Sequence, residues 1–281
     1  MKRFAIVLTL VAAVMLSAYG QASKDLGSVD KSKVELVAGK AKTIDILSFN
    51  DFHGTLVEEP KGKNLGIAKM ATVIKEAKAV NPNTIVVSAG DNYQGSALSA
   101  LTKGGVVSEY FAYIGLVASA VGNHEFDWGP GYFATWIKEG KFPFLAANII
   151  DKKTKKVASW AKPYTVVMVG GRKIAFVGFA TAETLTKAKA EYLDGYDFVD
   201  PASIAADLVW DIRQKEQPAL VIALTHIPSA ADSKDPTKAL AMPELNELDR
   251  LAQLSGVDAI ITGHSHNTVA GKNWGVPVVQ A

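Results

Sequence analysis

A chain of 281 residues with 48% hydrophobic and 21% charged residues has enough apolar material for a sizeable buried core. Its 30 basic and 28 acidic residues nearly cancel, which argues against a broad basic face for duplex nucleic acid. It has no cysteine, which excludes a disulfide framework and lipid attachment through a thiol.

The first element is a leader. Lys2 and Arg3 precede the apolar run 4–16, and Ala18-Tyr19-Gly20 and Gly20-Gln21-Ala22 offer small-residue cleavage sites. The run is too short to span a bilayer, so residues 1–22 are expected to be a signal peptide. Its removal leaves 28 basic against 28 acidic residues. The protein is then expected to be periplasmic or secreted, with no membrane span. Residues 23–41 are polar and small, a flexible lead-in to a domain over 42–281.

The body alternates short apolar runs with helical spacing. Strands are expected at 43–49, 84–89, 117–121, 144–148, 219–225 and 257–262, and helices at 67–80, 106–114, 132–139 and 245–254. Runs 164–169 and 172–179 flank Gly170-Gly171 as a hairpin. Asp200-Pro201 caps a helix reaching 215. The order suggests an α/β chain. The hairpin adds antiparallel strands, so a mixed-sheet sandwich with helices outside fits better than a purely parallel sheet. Val276-Pro277-Val278-Val279-Gln280-Ala281 is itself a strand pattern, expected to be an unpaired edge.

All five histidines sit in polar motifs at the ends of apolar runs. Asp51 and His53 follow the first run and, if they continue its strand, share a side. Asp91 follows the second run through Gly90, and Asn123-His124 follow the third through Gly122. His226 closes the run 220–225, and His264 and His266 follow 260–263. Five strand ends can thus deliver oxygen and nitrogen ligands to one rim. Two aspartates, an asparagine and four histidines are too many ligands for one ion. They suit two divalent metal ions, Mn, Zn or Fe, with Asp91 as the candidate bridge. Two such ions acidify a water and clamp the attacking and leaving oxygens of a displacement at phosphorus. His124 is then left as a general acid or charge stabiliser, oriented by Asp127. There is no phosphate loop of the G-x-x-x-x-G-K type, and Ser88 and Ser96 lie in no nucleophile elbow.

These strings, in this order, resemble the calcineurin-like metallophosphoesterase superfamily, and more narrowly the catalytic domain of the bacterial 5′-nucleotidase / 2′,3′-cyclic-nucleotide phosphodiesterase family. The likeness runs over about 43–281 and includes Phe142-Pro143-Phe144-Leu145-Ala146-Ala147-Asn148-Ile149 and Gly171-Arg172-Lys173-Ile174-Ala175-Phe176-Val177-Gly178. It implies a four-layer αββα sandwich of two mixed sheets with flanking helices. It implies one metal on Asp51, His53, Asp91 and His266, and a second on Asp91, Asn123, His226 and His264. It gives His124, paired with Asp127, the leaving group, with Asn123 and His124 contacting substrate. The expected function is hydrolysis of nucleotides or another small phosphate ester by metal-bound hydroxide, without a covalent enzyme intermediate. A cyclic phosphodiester or other ester on the same site is one alternative, and a catalytically silent metal-binding module is another. Family members of the two-domain type continue past Val-Val-Gln-Ala into a C-terminal substrate-binding domain, so the chain is expected to be truncated there. Where relatives carry a glycine-containing turn after the histidine, this chain has Ile227-Pro228-Ser229.

Overall fold

The computed structural model describes residues 43–59, 64–229 and 246–281. The expected leader and lead-in lie outside them. In chain order the elements begin β1 (Asp45–Phe49), α1 (Gly66–Val80), β2 (Thr84–Ser88), α2 (Ala97–Thr102), α3 (Gly105–Ile114), β3 (Leu116–Ala120) and α4 (Phe133–Gly140). There follow β4 (Phe144–Leu145), β5 (Ile149–Asp151), β6 (Ala161–Lys162), β7 (Tyr164–Val169), β8 (Arg172–Ala180), α5 (Thr184–Lys187), α6 (Ala190–Leu193) and β9 (Tyr196–Phe198). The chain closes with α7 (Pro201–Glu216), β10 (Leu220–His226), α8 (Glu247–Leu254), β11 (Ala259–Ile261), β12 (Val269–Asn273) and β13 (Val276–Gln280).

Two sheets lie at the centre. One has the order β1-β2-β3-β4-β6, the other β12-β13-β11-β10-β8-β7, and β5 pairs with β9 in a small ribbon. The sheets pack through Val87, Ala118, Ala120 and Leu145 on one side and Phe176, Ile222, Leu224 and Ile261 on the other. Helices cover both outer faces. Met70, Phe111 and Trp136 of α1, α3 and α4 join the core on the first sheet. Val209, Ile212, Leu248 and Leu251 of α7 and α8 join the core on the second. This is the expected αββα layering, and it explains why the central strands read as continuous apolar runs. The contact between sheets is tight at Gly178, where a Cβ would lie 2.2 Å from that of Leu145.

Three details differ from the sequence expectation. Only the second sheet is mixed: every pair in the first is parallel, because a helix or long crossover separates its successive strands. The run 144–148 forms a strand only at Phe144–Leu145; beyond it Asn148 bridges the chain, donating to the carbonyls of Ala180 and Val199 at 2.8 and 2.9 Å. The run after residue 275 is not an unpaired edge. β13 lies between β11, parallel, and β12, antiparallel. The turn between β12 and β13 is Trp274-Gly275, both with positive φ (49° and 83°), as a two-residue hairpin requires. β12 reads Val-Ala-Gly-Lys-Asn, too poor in β-formers to stand out in the sequence.

Helix starts follow local chemistry. Asp200 accepts from the Ala202 amide at 3.3 Å, with Pro201 at the first helical position. Asn246 and Asp249 form a reciprocal capping box at the start of α8. Both sheets then send the carboxyl ends of parallel strands, β1, β2 and β3 from one and β10 and β11 from the other, to the histidine motifs.

Candidate metal centre

The site is assembled on loops that leave those strands in an unusual conformation. Asp51, His53, Asp91, His264 and His266 all have positive φ, between 48° and 79°. For non-glycine residues this is a costly region that recurs at functional sites. Asp51 and His53 therefore do not share a side by continuing a strand, as the two-residue spacing suggested, and neither do His264 and His266. Left-handed residues coil each loop so that its side chains converge. Glycine makes room around them: at Gly122 a Cβ would fall 2.1 Å from Asp91 Oδ1. Ile227 is fully buried in the outer core, and Thr262 Oγ1 accepts from its amide at 3.2 Å.

The structure brings all nine sequence-selected residues together. Asp51, His53 and His266 form one group of possible metal ligands, Asp91, His226 and His264 a second, and His53, Asp91 and His124 a third that overlaps both. In the first group His266 Nε2 is 3.2 Å from Asp51 Oδ1 and 3.3 Å from His53 Nε2. In the second, His226 Nε2 is 3.0 Å from Asp91 Oδ2 and 3.8 Å from Asp51 Oδ1, so the groups adjoin. Asn123 is buried between Gly122 and His124, whose amide donates to Asp91 Oδ1 at 2.8 Å. The His124 ring lies 5.1 Å from that of His53, and its Nδ1 is 2.7 Å from Asp127 Oδ2.

Outer hydrogen bonds decide which ring nitrogen faces the centre. His226 Nδ1 lies 2.6 Å from the Ala89 carbonyl, and His53 Nδ1 lies 2.9 Å from that of Gln94. A carbonyl only accepts, so Nδ1 carries the hydrogen in both, and Nε2 of the neutral ring is a lone pair. With the ring neutral, His226 Nε2 would confront a carboxylate oxygen at 3.0 Å with no hydrogen between them. Two acceptors at that distance repel unless a positive charge, a metal ion or a proton, sits with them. Asn123 Oδ1 and His226 Nε2 are both buried without a hydrogen-bond partner, which buried polar atoms rarely are. These residues therefore fit divalent cations.

The charges agree. Burial works against ionisation of Asp91, yet His226 beside it holds the carboxyl well below the usual range. Burial equally disfavours a charged His226, but Asp91 outweighs it and pushes the imidazole up to about 10, so without a metal a proton supplies the positive charge. Burial would also raise Asp51, but the His266 hydrogen bond and the charge of His226 prevail and lower it. His124 is raised, chiefly by its hydrogen bond to Asp127.

Sequence reasoning passed over several residues that hold the centre. Glu125 is fully buried and accepts from the amides of Asp91, Asn92 and Gly122 at 2.9, 2.7 and 2.7 Å. It ties the Asp91 loop to the Asn123 loop; burial and the charge of Asp91 push its carboxyl up to about 7. Its signal was its place inside Gly122-Asn123-His124-Glu125-Phe126-Asp127. Asn50 donates to Asp51 Oδ2 at 2.6 Å and to the Ala281 carbonyl at 3.0 Å, and accepts from the Ala281 amide at 2.7 Å. Ser265, between two histidines, donates to Gln280 Oε1 at 3.0 Å. The end of β13 thus buttresses both Asp51 and the His264–His266 loop.

Residues 44–268 match the model of the calcineurin-like phosphoesterase family. The chain belongs to this family. Family membership brings divalent metal ions as the expected cofactor, and the donor groups above are where this chain can hold them. A 5′-nucleotidase of Vibrio cholerae is 33% identical over 237 residues, covering 83% of this chain and 42% of the relative. A 2′,3′-cyclic-nucleotide 2′-phosphodiesterase/3′-nucleotidase of Yersinia enterocolitica is 28% identical, covering 84% and 38%. The crystal structure of a 5′-nucleotidase precursor from Thermus thermophilus superposes with a TM-score of 0.66 at 26% identity, covering 84% of this chain and 48% of that one. The chain thus spans less than half the length of these relatives. Among the described residues no helix is long and apolar enough to cross a membrane.

Proposed function

We propose that this chain hydrolyses phosphate esters of nucleotides, as a 5′-nucleotidase-type phosphomonoesterase using two divalent cations. One observation carries the reading: His226 Nε2 faces Asp91 Oδ2 at 3.0 Å beside the Asp51–His53–His266 group, and both it and Asn123 Oδ1 are buried without a hydrogen-bond partner. Asp51, His53, Asp91 and His266 would hold one cation, and Asp91, Asn123, His226 and His264 the other, with Asp91 shared. Such cations, when bound, supply Lewis acidity to a phosphoryl oxygen and lower the pKa of water. Mn, Zn and Fe suit the mixed oxygen and imidazole donors.

The chain's own residues do the rest. His124 keeps Nδ1 on Asp127, which leaves Nε2 to face substrate. Its raised pKa keeps more of the imidazolium near neutral pH, suited to giving a proton to the departing alkoxide oxygen. Asn123 and His124 are adjacent, with the His124 amide on Asp91 Oδ1, and would contact the bound phosphoryl group. Export through the 1–22 leader, and a separate or further C-terminal segment that recognises the nucleoside, belong to the same proposal; the coverage of the relatives supports the second.

A second reading, hydrolysis of a 2′,3′-cyclic phosphodiester, is favoured by the similar coverage of the Yersinia relative. Turnover of AMP and of 2′,3′-cyclic AMP decides, on protein stripped with chelator and reconstituted with Mn. Metal-dependent release of adenosine supports the first reading, and preferential opening of the cyclic ester supports the second. No turnover of either by folded, metal-loaded protein contradicts both readings for this chain acting without a further segment.

A further inference from the structure

His264 stands apart from His53, His124 and His226. His53, His124 and His226 each commit Nδ1 to an outer oxygen, on Gln94, Asp127 and Ala89. His264 does the reverse: its Nε2 lies 3.0 Å from Glu183 Oε2. A carboxylate accepts only, so Nε2 carries the hydrogen, and the one lone pair of the neutral ring is on Nδ1. The His264 backbone is left-handed, with φ of 79°, and its amide donates to Asp51 Oδ2 at 3.0 Å. The ring lies 5.1 Å from the His226 ring and at 76° to it.

Glu183 is not placed there by chance contact of a loose loop. It follows β8 on the turn Thr181-Ala182-Glu183. Glu247, the first residue of α8, shapes that turn by accepting from Thr181 Oγ1 at 2.7 Å and from the Ala182 amide at 3.2 Å. Thr181 Oγ1 in turn accepts from the Glu183 amide at 3.2 Å. A chain of hydrogen bonds therefore runs from α8 through Thr181 to Glu183 and on to His264.

We propose that Glu183 is a positioning residue for the metal centre: it fixes His264 as the Nε2–H tautomer, so that this histidine ligates through Nδ1 while His53 and His226 ligate through Nε2. The inference rests on the two-cation reading above. Outer carboxylates on ligating histidines set both ring orientation and basicity, and losing one commonly costs roughly 10- to 100-fold in metal affinity. Glu183 is itself half exposed, so replacing it leaves the core intact.

The test compares wild type, Glu183→Ala and Glu183→Gln as full chains. Each is stripped with chelator and titrated with Mn by calorimetry, and the tautomers are read by long-range nitrogen–proton NMR of the histidines. Wild type should bind two equivalents, with His264 as Nε2–H and His53 as Nδ1–H. Glu183→Ala should weaken one equivalent by about 10- to 100-fold, leave the other within about twofold, and lose the His264 tautomer preference. Glu183→Gln keeps an accepting oxygen and should restore most of the affinity. Metal-free unfolding should be the same in all three. Glu183→Ala binding both equivalents as wild type does, or losing both equally, overturns the inference but leaves the two-cation reading standing. Wild type binding fewer than two equivalents overturns that reading and the inference with it.

Discussion

The two ligand groups differ in their relation to water. Asp91 and His226 are 2% and 0% exposed, with Asn123 buried beside them, whereas the His266 side chain is 59% exposed. The inner group is set before any metal arrives: Glu125 holds the Asp91 and Asn123 loops, and Ala89 holds His226. The outer group is held through Asn50 and Ser265, and its His266 faces solvent. The inner ion should therefore bind tightly and exchange slowly, and the outer ion should bind more weakly, closer to substrate. Burial costs the inner donors their hydration, and only a cation returns it.

In the proposed arrangement Asp91 serves both cations, so Asp91→Ala should abolish the difference. Neither cation should be retained and turnover should fall to background; metal analysis after gel filtration checks this. Next in size, His124→Ala should keep both cations and lower turnover by about 10²- to 10⁴-fold. Equal losses of metal and turnover there would make His124 a ligand instead. His266→Ala should sharpen the contrast. The outer cation should weaken by more than the roughly 10- to 100-fold typical of losing an outer-shell partner, while the inner one stays put; titration with Mn resolves the two. The smallest effect is expected for Glu125→Gln, whose amide would turn a donor toward backbone amides that now donate to it. A loss of about 1–3 kcal/mol in unfolding free energy should follow, with both cations still bound. Unchanged stability would remove Glu125 as the tie between the loops.

Most strands and the long helices were legible because they are continuous apolar runs or helical periodicities bounded by Asn81-Pro82, Gly170-Gly171 and Asp200-Pro201. β6, β9 and β12 were not: two to five residues with Lys, Asp, Gly or Asn carry no periodic signal, and tertiary pairing alone makes them strands. The nine candidate residues were legible as residue types at strand ends, and their meeting at one rim was expected. How they meet was not, since alternation along a strand predicts side-sharing while the chain uses left-handed turns at Asp51, His53, His264 and His266. Glu125 and Glu183 act through hydrogen bonds to backbone amides and to a ring nitrogen from elements far apart in sequence, and no spacing rule encodes those. The pairing of β13 was misjudged for a similar reason: its partner β12 hides in a weak sequence just before it.

The most direct measurement is the anomalous-difference map of a crystal soaked in Mn. Two peaks are expected, one among Asp91, Asn123, His226 and His264, the other among Asp51, His53, Asp91 and His266, with Asp91 touching both. A single peak, or none at full soaking concentration, would contradict a two-cation centre in this chain.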